Sequence, residues 1–356
     1  MRAENILVIH LRQVGDVLLT TPAVKALREA YPRSRISYLT ETGPATLLQG
    51  NPHLDRIITR KRRQGIWHDL RLAWELRQAR YDLVVDFFCN PRTAWMAFFT
   101  GAPQRLAAYH ASRAWWYTHT PKLENGIGYA AEDKLALLRT IGIDGKLVPP
   151  VIQLAADAQT YIEQWFRQQR IRSGGNSVTP IITIDPTSRR PARRWIPERY
   201  THLADRLVER YAATVIFLWG PGEYDVVAPL AQQGKHPHLL ACPTDLMQLA
   251  ALIARSDLHI GNCSAPSHIA VAVGTPSLTV IGPTRPANWT YPSPMHQVVR
   301  GDVACLECQK TECTTHECMH ALTVQDVEHA LEHFHLLRFK GQQRARLQTN
   351  ASIAGS

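Results

Sequence analysis

A chain of 356 residues, 45% hydrophobic and 20% charged, is long for a single core and too apolar to be disordered, so two globular domains are expected. Its formal charge of +10 gathers in Arg60-Lys61-Arg62-Arg63, in Arg189, Arg190, Arg193 and Arg194, and in the acid-free stretch from Arg338 to Arg346. Such patches suit nucleic acid, an anionic membrane, a phosphorylated substrate or plain solvated surface. Arg12 and Asp16 interrupt the first apolar run before a secretion signal or a span of about 18 residues could form, and no later segment approaches that length, so a cytoplasmic chain with reduced thiols is expected.

The elements alternate along the chain. Asn5 to Ile9 reads as a buried parallel strand, and Val14 to Tyr31 carries apolar residues at helical spacing up to Pro32. Strand-like runs follow at Arg35 to Thr40, Arg56 to Thr59, Tyr81 to Phe88 and Arg105 to Tyr109, with a helix over Asp69 to Arg80 among them. Ile171 to Pro180, containing Ser173-Gly174-Gly175-Asn176-Ser177, is the candidate linker. After it the pattern restarts with strands at Ile181 to Ile184, Thr214 to Trp219, His238 to Cys242 and Leu258 to Gly261, and helices at Pro197 to Tyr211, Glu223 to Gln233 and Thr244 to Arg255. A last helix is expected over Val324 to Leu337. The alternation predicts an α/β fold: two doubly wound, Rossmann-like domains, 1–175 and 176–337, facing a central cleft, followed by a basic tail, 338–356, expected to be disordered.

Two loops carry the chemistry. Gly261-Asn262-Cys263-Ser264-Ala265-Pro266-Ser267-His268 leaves a strand and opens a helix that ends at Gly274-Thr275-Pro276. The free N–H groups and positive dipole end of such a helix favour an anion, most often a phosphate. The loop His10-Leu11-Arg12-Gln13-Val14-Gly15-Asp16 is its counterpart near the start of the chain, with an acid in place of the serine. A phosphate cradle together with a carboxylate that can take a proton suggests group transfer. Read from the residues alone, Asp16 is either that base or a helix cap.

Four signatures bear a family comparison: Gly15-Asp16; Asp185-Pro186-Thr187-Ser188 with Arg193-Arg194-Trp195-Ile196-Pro197; Trp219-Gly220-Pro221-Gly222-Glu223; and Asn262 to His268 running on to Gly274-Thr275-Pro276 and Ile281-Gly282-Pro283-Thr284. In their order and spacing the chain resembles glycosyltransferase family 9, the ADP-heptose:lipopolysaccharide heptosyltransferases, from Asn5 to about Leu337. The resemblance implies the GT-B fold, with the acceptor on the first domain and the nucleotide sugar mainly on the second. It also implies an inverting transfer of heptose from an ADP-sugar donor to a lipopolysaccharide core or lipid A acceptor, at the cytoplasmic face of the inner membrane.

Within that reading Asp16 is the general base. Thr187, Ser188, Arg193, Cys263, Ser264, Ala265, Pro266 and His268 hold the donor's diphosphate and sugar, and Glu223 accepts from ribose hydroxyls. No Asp-x-Asp pair occurs, so no cofactor is expected to be required for catalysis. No motif supports nucleic acid as a partner, and no G-x-G-x-x-G follows the first strand to support a dehydrogenase.

The chain departs from the family pattern at Cys263, where the best-studied branch has an aspartate that holds sugar hydroxyls, at Ala265, where glycine is common, and at Arg193, where a lysine is usual. These departures leave open a different donor sugar, or a nucleotide-sugar-binding protein with little or no transferase activity. Cys305, Cys308, Cys313 and Cys318 form a C-x2-C-x4-C-x4-C run with His316 among them. A structural zinc, disulfides or an iron–sulfur cluster, and idle thiols are all compatible with it. Trp115-Trp116-Tyr117 is either an acceptor-contacting patch or packing, and Arg60 to Arg63 either meets anionic lipid or is a solvated loop.

Overall fold

The computed structural model describes residues 3–62, 65–123, 128–171, 179–332 and 334. The chain divides into two compact units between Ala155 and Ala156. That division falls before the linker expected at Ile171 to Pro180, because the helix Ala156–Gln168 packs on the helix Leu246–Ala254 and goes with the second unit. Residues 172–178 of that linker, and the tail at 338–356, lie outside the described residues.

The first unit is built on β1 (Asn5–Ile9), β2 (Arg35–Glu41), β3 (Arg56–Arg60), β4 (Leu83–Asp86) and β5 (Gln104–Ala107). All pair in parallel, in the order β3-β2-β1-β4-β5. Side chains of a strand alternate between faces, so β1 divides its apolar run between two cores. Ile6 and Val8 pack with Ile36, Tyr38, Leu83 and Val85 beneath Val24, Leu27 and Leu135, whereas Leu7 and Ile9 pack with Leu39 and Val84 beneath Leu72, Leu76, Ala94 and Ala97. A strand with helices on both sides has no polar face, which is why Asn5 to Ile9 shows no alternation in sequence.

The second unit repeats the plan with β6 (Ile181–Asp185), β7 (Thr214–Phe217), β8 (Leu239–Leu240), β9 (Leu258–Asn262), β10 (Ser277–Val280) and β11 (His296–Val299). Again all pairs are parallel, in the order β11-β10-β9-β6-β7-β8. Counted from β6, this is the strand order of a dinucleotide-type fold, whose chain reverses direction between its first and fourth strands. Trp195, Tyr200, Leu203 and Leu207 fill one face together with Val327 and Leu331 of the helix Val324–Leu331.

Two expected elements are altered for local reasons. The helix expected over Val14 to Tyr31 is two helices, Val14–Leu18 and Thr21–Ala30. Pro22 brings no N–H to the Leu18 carbonyl, which takes the Thr21 hydroxyl instead at 2.8 Å, while the Thr20 hydroxyl bonds the Val17 carbonyl at 2.7 Å. The strand expected over Tyr81 to Phe88 stops at Asp86, whose carboxylate accepts the N–H groups of Phe88 and Cys89 at 2.9 and 3.0 Å and turns the chain out of the sheet.

Candidate active site

In the second unit the strand order reverses between β6 and β9, and the loops leaving these two strands are tied to each other. Asn262, fully buried at the end of β9, donates its Nδ2 to the Thr187 carbonyl at 3.1 Å. Its Oδ1 accepts the Trp195 N–H at 2.8 Å and the Tyr200 hydroxyl at 3.0 Å. Trp195 is itself locked in the core, with Nε1 donating to the Leu322 carbonyl at 3.0 Å. One asparagine thereby fixes both the Thr187-Ser188 loop and the Arg193-Arg194-Trp195 turn.

Asp185 ends β6 and is buried with Ser264 donating to its Oδ2 and the Thr187 hydroxyl and N–H reaching its Oδ1 at 3.2 and 3.3 Å. Burial, together with the nearby Glu223 carboxylate, pushes the Asp185 carboxyl up to about 7 against the pull of these hydrogen bonds. The hydroxyls of Thr187 and Ser264 are therefore committed to Asp185. Ser264 is the N-cap of the helix Ala265–Val273 and makes no side-chain cap bond, which leaves the helix entrance capped by no side chain of its own. Pro266 falls within its first two positions, where a missing N–H costs nothing. Ser188 turns its hydroxyl to the Arg190 N–H at 3.4 Å, and its carbonyl takes Nε of Arg194 at 2.7 Å.

Around this entrance Arg193, Cys263, His268 and Trp289 come together. The Arg193 guanidinium donates to the Cys263 carbonyl at 3.4 Å and lies 5.8 Å from the centre of the Trp289 ring, which the His268 ring meets from 5.9 Å. Burial and the Arg193 charge lower the His268 pKa to about 4, so its imidazole is neutral at pH 7. His268 Nδ1 and the hydroxyl of Thr284, in the loop after β10, are buried with no hydrogen-bond partner among the described residues. Two orphaned polar atoms of this kind, at the strand ends where such folds bind ligands, are what a ligand-contacting surface leaves behind. Glu223 closes its own turn by accepting the Gly220 N–H at 2.8 Å on Oε2.

In the first unit the corresponding position lies between β1 and β4. Asp16 is the third residue of the helix Val14–Leu18, whose N-cap is Gln13, so it does not occupy the capping position the residues alone allowed. It is half-buried, and its charge acts on two neighbours: it supports the ammonium of Lys134, otherwise disfavoured by burial, and opposes ionisation of buried Tyr38. Lys134 in turn combines with burial to hold His10 well below the usual histidine range. His10 Nδ1 is buried without a hydrogen-bond partner among the described residues. Arg12 pairs with Glu41 at 3.4 Å across the ends of β1 and β2.

One expectation changes. Arg60 is not part of an exposed basic loop: it is 1% exposed and holds Asp69 through both carboxylate oxygens at 2.6 and 2.9 Å. The four clustered cysteines lie near one another, with Cys305, Cys308 and Cys313 all acting on the Cys318 thiol. Cys318 is buried against Gly282, where an added Cβ would sit 2.5 Å from its sulfur, while Cys305 and Cys308 are exposed. His316 gives Nε2 to the Ala192 carbonyl at 3.1 Å. Among the described residues no three His, Cys, Asp or Glu side chains form a metal-holding group, and burial with the neighbouring thiols pushes the Cys318 thiol up to about 11. Trp116 packs against Phe98 and Tyr117 bonds buried Asp86 at 2.7 Å, whereas Trp115 is 64% exposed.

Sequence reasoning passed over Asp185 and Asn262 as site residues, and missed Trp289 and Lys134 altogether. The first two stood inside the quoted motifs, where the apolar strand ending in a single carboxylate or amide was the available signal. Trp289 reaches Arg193, and Lys134 reaches Asp16, from other elements of their own units, and only the fold brings them there.

A sequence model of glycosyltransferase family 9 (heptosyltransferase) matches residues 70–319, well over half of the chain. The lipopolysaccharide heptosyltransferase 3 of Escherichia coli is 28% identical over 293 residues, covering 78% of this chain and 84% of that protein. Among solved structures, a family 9 glycosyl transferase from Veillonella parvula superposes with a TM-score of 0.81 at 24% identity, covering 94% of this chain and 97% of that one. The ADP-heptose lipopolysaccharide heptosyltransferase II of E. coli does so with 0.77 at 22%, covering 95% and 99%. Two doubly wound parallel units of the GT-B class and a family match of this extent make the chain a glycosyltransferase, a member of glycosyltransferase family 9.

Proposed function

We propose that this glycosyltransferase transfers heptose from ADP-heptose to a lipopolysaccharide core acceptor, with inversion and without a divalent metal, at the cytoplasmic face of the inner membrane. The observation that carries the donor half is the cluster at the entrance of the helix Ala265–Val273: the Arg193 guanidinium on the Cys263 carbonyl and, across the Trp289 ring, a neutral His268 with an orphaned nitrogen. A departing nucleoside diphosphate gathers negative charge on the oxygen it takes away, and cationic and N–H donors fixed in advance stabilise that charge. Arg193 and the helix entrance supply them, with Cys263, Ala265, Pro266 and His268 shaping the pocket for the sugar. Thr187, Ser188 and Ser264 act mainly by holding the loops, and Glu223 is assigned the ribose hydroxyls.

Asp16 is assigned the general base. The acceptor hydroxyl gives its proton to the Asp16 carboxylate as its oxygen bonds the anomeric carbon, and the bond from that carbon to the diphosphate oxygen breaks with its electron pair leaving on ADP. Proton removal of this kind is worth roughly 10²–10⁴-fold in rate.

The test is release of ADP from ADP-heptose in the presence of heptosylated core acceptor, together with calorimetric titration of ADP, UDP, GDP and CMP. ADP release that depends on acceptor, with ADP bound most tightly, supports the reading. A clear preference for UDP would remove heptose as the donor sugar, and tight ADP binding without acceptor-dependent release would make the protein a nucleotide-sugar binder.

A further inference from the structure

The helix Ile66–Gln78 is amphipathic in an unusual sense. Its inner side buries Asp69, Leu72, Ala73 and Leu76 against the first sheet. Its outer side, which should be polar, presents Ile66, Trp67, Leu70 and Trp74, exposed by 70, 79, 40 and 63%. Beside it runs the helix Pro91–Phe99, held at one end by Arg92 against Asp69 at 3.4 Å and at the other by Arg77 donating to the Phe99 carbonyl at 3.4 Å. That neighbour adds exposed Phe98 and Phe99, and Phe98 continues to exposed Trp115 at 6.2 Å between ring centres. A run of large apolar groups this long on an otherwise solvated surface marks an interaction site.

The charges around it are mostly basic. Lys61, Arg62, Arg71, Arg77 and Arg92 are exposed. Glu75 is the one exposed acid of the two helices and is held by Arg71 at 3.2 Å, and Asp69 is buried between Arg60 and Arg92. Tryptophan and long cationic side chains together fit the interface of a bilayer, where indoles sit at headgroup level and guanidinium groups meet lipid phosphates. A second copy docked by a two-fold axis would set this cationic rim against itself.

We propose that the outer faces of the helices Ile66–Gln78 and Pro91–Phe99 dock the protein on an anionic phospholipid bilayer, with Trp67, Leu70 and Trp74 inserted at headgroup level and Arg62, Arg71 and Arg92 on lipid phosphates. The inference deepens the reading of a membrane-borne acceptor and rests on it for its purpose, but not for its test. Vesicles of phosphatidylcholine alone and with phosphatidylglycerol are sedimented with the full-length protein, with Trp67→Ala/Trp74→Ala and with Arg62→Gln/Arg71→Gln. Circular dichroism and thermal melts serve as the folding control. The expected result is binding to the anionic vesicles, weakened by salt, and lost roughly tenfold or more in each double variant while the melts stay unchanged. Equal binding by wild type and the tryptophan variant, no binding by wild type, or a shift of the variant from dimer to monomer on gel filtration overturns the proposal. None of these readings needs turnover, so loss of transferase activity and loss of docking are told apart by assaying the same variants on detergent-dispersed acceptor, where they should be unimpaired.

Discussion

Each unit places an aspartate near the end of its first strand, in surroundings that differ sharply. At the end of β6, Asp185 is buried, hydrogen-bonded by Ser264 and Thr187, and pushed up to about 7, so it organises loops and carries little charge below neutrality. Near the end of β1, Asp16 stands on a five-residue helix, half-buried beside the Lys134 ammonium. The fold supplies a strand-end crevice in each unit, but the surroundings of the two carboxylates differ: one is buried under hydrogen bonds to its neighbouring loops, the other half-buried near a buried amine. In the second unit the charge beside the helix entrance is instead the half-buried Arg193 guanidinium on the Cys263 carbonyl.

The largest effect expected from disturbing this contrast is on donor affinity. Arg193→Ala should weaken ADP binding by roughly tenfold to a hundredfold, with Arg193→Lys recovering part of it, since a charge-assisted contact to phosphate is lost and an ammonium restores only its charge. Calorimetry checks this, and an unchanged affinity would place the diphosphate elsewhere. Asn262→Ala strips one buried donor and one doubly used acceptor from the loops it ties, and should lower stability by about 2–4 kcal/mol in denaturant melts.

Asp185 gives a signature in pH. Its folded-state value of about 7 lies above its unfolded one, so between about 4 and 7 the folded protein holds a proton that the unfolded chain releases. Stability on this account falls as pH rises through that window, by at most about 1.4 kcal/mol per unit. ADP affinity should fall as the carboxyl ionises near 7, and Asp185→Asn should flatten both trends. The smallest effect concerns Lys134→Met: it takes away a Coulombic partner of Asp16, so the acid limb of the pH–rate profile is expected to move to higher pH with little change in ADP affinity. A profile that does not move would separate Lys134 from the base.

How much of this was legible in the sequence follows from how local each feature is. β1 and the helix Pro197–Tyr211 fall where their patterns place them, since an uninterrupted apolar run and a proline-started amphipathic stretch are decided by neighbouring residues. The break at Leu19-Thr20 was not legible, because it depends on hydroxyls taking carbonyls that the helical pattern assigns elsewhere. The short β8, between Pro237 and Pro243, is shorter than its apolar run. In each unit the loops were visible as motifs, but the burial that raises Asp185, the placing of Trp289 against Arg193, and the nearness of Lys134 to Asp16 come from elements distant in sequence. In the cysteine run the spacing did not show that Cys318 is buried, where Gly282 leaves room for its sulfur, while Cys305 and Cys308 are exposed.

The division of labour between a donor cradle and a separate base is tested most directly by measuring two quantities on Asp16→Ala: its dissociation constant for ADP and its acceptor-dependent rate of ADP release from ADP-heptose. The account predicts an ADP affinity within about twofold of wild type with turnover lower by roughly 10²-fold or more. Undiminished turnover, or a loss of activity explained wholly by lost ADP binding, would contradict it.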